Sequence, residues 1–160
     1  MKILGIDPGI NNIGWSILEE TTGGQIKYIA SGKITTNPQS AITSRLSLIF
    51  VKLSEVISNH KPDLASLEEV FININPRSSM TLSFARGAIL CCIGYNNLTS
   101  LEFAPNTIKK TIVGNGKADK QQIMKMLKFI IPNVSFSSAD EADAIAIAYT
   151  GIILKNKSNL

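Results

Sequence analysis

Ile3-Leu4-Gly5-Ile6 and Ile13-Gly14-Trp15-Ser16-Ile17-Leu18 are two short apolar runs, and the stretch between them, Asp7-Pro8-Gly9-Ile10-Asn11-Asn12, has the turn chemistry to reverse the chain. Thr21-Thr22-Gly23-Gly24 makes a second turn into residues 25 to 34, so the pattern predicts three antiparallel strands at the start. After Pro38 the period changes. Ile42, Leu46, Ile49, Phe50, Leu53, Val56 and Ile57 recur at helical spacing, which predicts an amphipathic helix over 39 to 59, stopped by Lys61-Pro62-Asp63. Strand and helix then alternate: a strand over 64 to 71, a helix from Pro76 or Ser78 to about Ile93, and a strand over 98 to 103. Helices over 106 to 113 and 120 to 131 flank Gly114-Asn115-Gly116, and a last helix runs from about Ala139 to Leu154. There is no repeat or low-complexity linker, and the polar stretch 155 to 160 reads as a fraying tail.

With 160 residues, 44% of them hydrophobic, the chain suits one ordinary globular domain, residues 1 to 154, and is short for two. The longest apolar run, Ala144 to Leu154, falls well short of the roughly 20 residues a membrane span needs. Asp7 arrives too early for the apolar core of a secretory signal, and the expectation is a cytoplasmic protein with no membrane association. Cys91 and Cys92 are adjacent in a predicted helix, where a disulfide between them would be strained, and are expected to be reduced core thiols. The net charge is a modest +4, but Lys109, Lys110, Lys117, Lys120, Lys125 and Lys128 crowd into one stretch that only Asp119 interrupts. Such a cluster fits a solvated helix face or a nucleic-acid surface, and charge alone does not decide between them.

Four acids change the picture. Asp7 follows the first apolar run, Glu68 lies within Leu64 to Val70, and Asp140 and Asp143 open the last helix, each at the end of an element. Carboxylates converging on one point repel strongly and call for cations to balance them; two divalent ions would suffice. Magnesium, a hard ion that takes oxygen ligands, matches such a set, and no histidine or cysteine metal motif competes. Each acid also has a structural reading. Asp7 has the position to cap its turn, and Asp140 and Asp143, three apart on one helical face, favour the helix dipole. Glu68 and Glu69 point to opposite faces of a strand, so only one can face Asp7. Ser138-Ala139-Asp140-Glu141 has capping-box spacing, which predicts that Glu141 returns to backbone. His60 ends a helix, where a cation is favourable, and Trp15 reads as core.

The segments ILGIDPGINNIGWSIL, LEEVFININPRSSMTLSFARG, FAPNTIKKTIVGNGKADKQQI and SADEADAIAIAY together resemble the RuvC family of Holliday junction resolvases, in the family's order and over nearly the whole chain. The resemblance implies an α/β RNase H-like fold, a mixed five-stranded sheet flanked by helices. It also implies a homodimeric endonuclease of recombination and repair that nicks four-way DNA junctions symmetrically. Magnesium is the implied cofactor, two ions per subunit with manganese as a substitute, leaving 5′-phosphate and 3′-hydroxyl ends, and RuvA and RuvB are implied partners. The family's catalytic acids match Asp7, Glu68, Asp140 and Asp143, the choice of Glu68 resting on the family's Leu-Glu-x-Val-Phe pattern. Phe71 matches the aromatic that probes the junction centre, Lys109 and Lys120 match DNA-contacting cations, and Lys110 and Lys117 neighbour them. The helix carrying Arg77 and Arg86 resembles the family's dimer-contact helix, with Met80, Leu82, Phe84, Ala85, Ala88 and Ile89 as its candidate interface. The opening Gly-Ile-Asp-Pro-Gly also resembles the phosphate loop of actin-like ATP-binding proteins, although two such domains need about twice this length. A YqgF-like relative or a noncatalytic branched-DNA binder is the remaining alternative.

Overall fold

The computed structural model describes residues 1–69 and 76–155. Ten elements follow in order: β1 (Lys2–Asp7), β2 (Asn12–Glu20), β3 (Ile26–Thr35), α1 (Ile42–His60), β4 (Leu64–Glu68), α2 (Pro76–Tyr95), β5 (Thr99–Phe103), α3 (Pro105–Val113), α4 (Lys120–Ile130) and α5 (Ala139–Leu154). The strands form one mixed sheet in the order β3-β2-β1-β4-β5, with β1, β2 and β3 antiparallel and β1, β4 and β5 parallel. This is the five-stranded α/β architecture the sequence predicts. Strand β4 ends at Glu68, three residues before the expected boundary, and Phe71 lies outside the described residues. Helix α1 begins at Ile42 instead of Gln39, because Asn37 turns the chain there: its carbonyl accepts from Ser40 N–H at 3.0 Å and its side chain from Gln39 N–H at 2.9 Å.

Strand alternation sorts the core into two layers. Leu4, Ile6, Ile13, Ile17, Ala65 and Leu67 meet α1 and α2 through Ile49, Leu53, Ile57, Ala85 and Ile89. On the other face α5 lies almost on the backbone of β1 and β2. A Cβ added at Gly5 would overlap the Ala144 carbonyl and Ala148, and one added at Gly14 would overlap the Asp140 carbonyl. Two buried strand serines fix the helix further, Ser16 Oγ donating to Ala144 O and Ser66 Oγ to Ile147 O, each at 2.9 Å.

Several expectations change here. Within α2, Ala85 and Ile89 are core residues packed towards α1, while Met80, Phe84 and Tyr95 are exposed; the candidate interface therefore mixed two faces of one helix. Cys92 is buried as expected but Cys91 is exposed, since neighbouring helical positions diverge. Lys155 does not fray: its ammonium pairs with Glu20 of β2 and ties down the end of α5. Trp15 is half-buried, its ring 5.7 Å from that of His60 at the end of α1. Among the described residues no helix is long and apolar enough to cross a membrane.

Candidate active site

Parallel pairing of β1 with β4 sets Ile6 beside Leu67, so Asp7 and Glu68, one step further, finish neighbouring strands. Both continue the alternation of Gly5 and Ser66, which face α5. Glu69 takes the opposite direction and does not line the cleft that results. That cleft, of about 420 Å³, is bounded by Asp7, Glu68, Asp143, Lys109 and Lys120, with Ile108 among its apolar residues. Asp140 is one turn before Asp143 on α5 and does not line the cleft, but its charge reaches Asp7.

Burial and like charge act together on these acids. Asp7 is pushed up to about 7, first by burial, then by Asp143, Glu68 and Asp140, with Lys120 opposing. Glu68 is also raised, by burial and then Asp143, against Lys109 and Lys120. Lys120 Nζ donates to Asp143 Oδ2 at 2.9 Å, and this bond holds the ammonium above its ordinary value. With the lysine side chain 69% exposed, the pair adds little to stability; its importance is electrostatic and local.

Among the described residues the donor set suits a hard divalent cation: carboxylate oxygens with no imidazole or thiolate, on acids whose burial and mutual repulsion both oppose ionisation without a countercharge. Among the described residues no three His, Cys, Asp or Glu groups are already closed around one point.

Side chains remote in sequence hold these acids in place. Arg45, buried in α1, donates from Nε to Thr36 Oγ1 at 2.9 Å and from Nη2 to Ile10 O at 3.0 Å and Asn11 Oδ1 at 2.6 Å, bracing the loop that leaves Asp7. Its sequence signal was available, since Arg45 falls on the apolar stripe between Ile42 and Ile49. Glu141, 7% exposed, does not close the expected capping box. Ser138 Oγ accepts from Glu141 N–H at 3.3 Å, but the carboxylate accepts from Ser137 Oγ at 2.6 Å, Ser138 Oγ at 3.1 Å and Ser31 Oγ at 2.8 Å. Burial raises the Glu141 pKa, and these hydroxyls together with a backbone hydrogen bond at Ser137 outweigh it, leaving the carboxyl below its ordinary value. The bond to Ser31 ties the start of α5 to β3. A complete capping box occurs at α4 instead, between Asp119 and Gln122, and sets Lys120 at the first position of that helix. Lys110 and Lys117 are exposed and lie outside the cleft.

The family model for the crossover junction endodeoxyribonuclease RuvC matches residues 3–151. RuvC of Rickettsia massiliae is 47% identical over 157 residues, spanning 98% of this chain and 99% of its own. RuvC of Rickettsia typhi is 46% identical over 157 residues, with 97% and 99% covered. Among solved structures, Thermus thermophilus RuvC in complex with a Holliday junction substrate superposes with a TM-score of 0.91 over 98% of this chain and 96% of that one; at 24% identity this shows the shared fold. Another structure of Thermus thermophilus RuvC gives 0.85 at 25% identity, with the same coverage of 98% and 96%.

Proposed function

The chain belongs to the RuvC family, and from that premise we propose that the cleft between β1, β4 and α5 is where a four-way DNA junction is nicked. The protein is a crossover junction endodeoxyribonuclease, a metal-dependent hydrolase acting on Holliday junctions. The observation that carries the site assignment is the gathering of Asp7, Glu68 and Asp143 in one cleft also lined by Lys109 and Lys120, where burial first and the neighbouring carboxylates second raise Asp7 to about 7. Asp7, Glu68, Asp140 and Asp143 would hold divalent metal, two magnesium ions in each subunit, with manganese accepted in their place. When bound, such ions supply Lewis acidity and the countercharge that both the carboxylates and a phosphodiester need. Lys109 and Lys120 meet the phosphates, Lys120 exchanging Asp143 for the substrate. Among the described residues that line the cleft there is no serine, cysteine, histidine or tyrosine, and the carboxylate set favours direct hydrolysis to 5′-phosphate and 3′-hydroxyl ends without a covalent enzyme intermediate.

Two cuts placed symmetrically across a junction are most simply made by a two-fold dimer. The exposed Met80, Phe84 and Tyr95 of α2, with Gly87 leaving open space between, supply an apolar surface for a second copy. Phe71 would enter the junction centre, and Lys110 and Lys117 would contact more distant phosphates, with RuvA and RuvB as partners. Incubating the protein with magnesium and a mobile four-way junction, beside linear duplex, tests this reading. Asp143→Asn is expected to abolish nicking while junction binding persists, and near-normal cleavage would remove the acid from the site.

A further inference from the structure

We infer that Arg86 is a positioning residue for Glu68, reaching from α2 through the end of the sheet to set the direction of that carboxylate; the inference rests on the metal-binding reading of the cleft. The sequence placed Arg86 on a helix resembling a dimer contact, but its side chain is only 18% exposed and turns inward. One arm of the guanidinium, Nη1, donates to the backbone carbonyl of Glu68 at 3.0 Å. The other, Nη2, pairs with the Glu102 carboxylate on β5. Leu67 pairs with Glu102 and Glu68 with Phe103, so Arg86 spans the last steps of two adjacent strands.

The peptide unit after Glu68 is thereby held at both ends. Its carbonyl accepts from Arg86, and its amide, Glu69 N–H, donates to Phe103 O at 2.9 Å. A peptide unit is planar, so two fixed hydrogen bonds orient the whole plane, and with Leu67 on the other side of Glu68 held by pairing to Ile6 and Glu102 the Cα–Cβ direction of Glu68 is set from both sides. Glu102 alternates with Leu101 and Phe103, which face α5, so its side chain emerges on the opposite face. Arg86 therefore acts from the α2 side on a group whose carboxylate works on the α5 side. The same helix presents Met80 and Phe84 outward, so whatever seats α2 also seats the Glu68 peptide. Lysine does not reproduce this arrangement, because the two acceptors are met by two different nitrogens of a rigid planar fork and an ammonium donates from one nitrogen only.

Arg86→Lys and Glu102→Gln, each compared with the wild type, test the inference by manganese binding to the metal-free protein, followed by electron paramagnetic resonance, and by the magnesium midpoint of junction nicking. Arg86→Lys is expected to weaken manganese binding and raise the magnesium midpoint by about tenfold, as loss of a group orienting a metal ligand does. The rate at saturating magnesium should return to near the wild-type value, and metal-free junction affinity should be unchanged. Glu102→Gln, which leaves Arg86 in place without its charged partner, should shift both midpoints in the same direction by a smaller factor, and it decides the matter if Arg86→Lys does not fold. Unshifted metal binding in a folded Arg86→Lys protein, or in Glu102→Gln where Arg86→Lys fails to fold, overturns the inference, as does a rate loss that saturating magnesium leaves in place. A wild type that neither binds manganese nor nicks junctions would instead remove the metal-binding reading itself.

Discussion

On one face of the sheet α5 lies against Gly5, Gly14, Ser16 and Ser66, with backbone nearly touching backbone; on the other, α1 and α2 rest on Leu4, Ile6, Ile13 and Leu67 through ordinary aliphatic side chains. Both faces bury a core, but only the first carries the candidate acids. A layer of branched side chains absorbs small changes of volume by repacking, whereas a helix seated on glycine and tied by serine hydroxyls has no compressible layer beneath it. Asp140 and Asp143 inherit their positions from the seating of a whole helix, so the α5 face needs a particular distance and the opposite face needs mainly a particular volume.

The two faces should differ most in their response at Gly14. Gly14→Ala forces a methyl group into the Asp140 carbonyl, so α5 must lift at the turn that carries Asp140 and Asp143. Junction nicking should fall by about 100-fold or more, since errors of about 1 Å in a catalytic group carry costs of that size. Single-turnover kinetics on a four-way junction, with circular dichroism to establish folding, measure it; retained activity would mean that α5 is not rigidly seated. Leu53→Ala on the opposite face should cost about 2–5 kcal/mol of stability by urea unfolding, yet leave the nicking rate near normal well below the melting temperature. Equal catalytic damage from the two substitutions would erase the contrast.

Asp7 supplies a smaller and pH-dependent test. Its folded pKa of about 7 lies above its ordinary value of 3.8, so the folded protein retains a proton that the unfolded chain releases. Its stabilising contribution in the metal-free protein is therefore fully present below pH 3.8 and is lost as pH rises through about 7. Metal must displace that proton, so magnesium affinity should drop by about tenfold per pH unit below 7, as calorimetry would show, and the dependence should flatten in Asp7→Asn. The smallest effect belongs to Ser66→Ala, which removes one bond to Ile147 O and should cost about 1 kcal/mol with a modest rise in the magnesium midpoint of nicking.

The element order and the convergence of Asp7, Glu68 and Asp143 were legible because they follow from local periodicity and from chain ends that parallel pairing brings together. Alternation showed that Glu68 and Glu69 must diverge, but which one faces Asp7 depends on strand register, a tertiary property. Arg45 carried a partial signal, a charge on the apolar stripe of α1, and Arg86 carried none; the acceptors of both, at Ile10 and Glu68, lie far away in sequence and come within reach only on folding. Glu141 does return to backbone, at Ser137, but its main partners were not legible for a related reason. Its spacing from Ser138 matched a local box, but folding brought Ser31 from β3 within 2.8 Å and offered the carboxylate a better set of donors.

The contact between Lys120 and Asp143 divides the cleft by timescale. Asp143 sits on a helix locked to the sheet, while the ammonium that meets it ends a long side chain that is 69% exposed. Exposed side chains change rotamer within picoseconds to nanoseconds, whereas shifting a packed helix belongs to microseconds or slower. For any ligand entering the cleft, the anionic wall is therefore a stationary template and the cationic wall a fast follower, able to complete its reorientation many times over before the template moves at all.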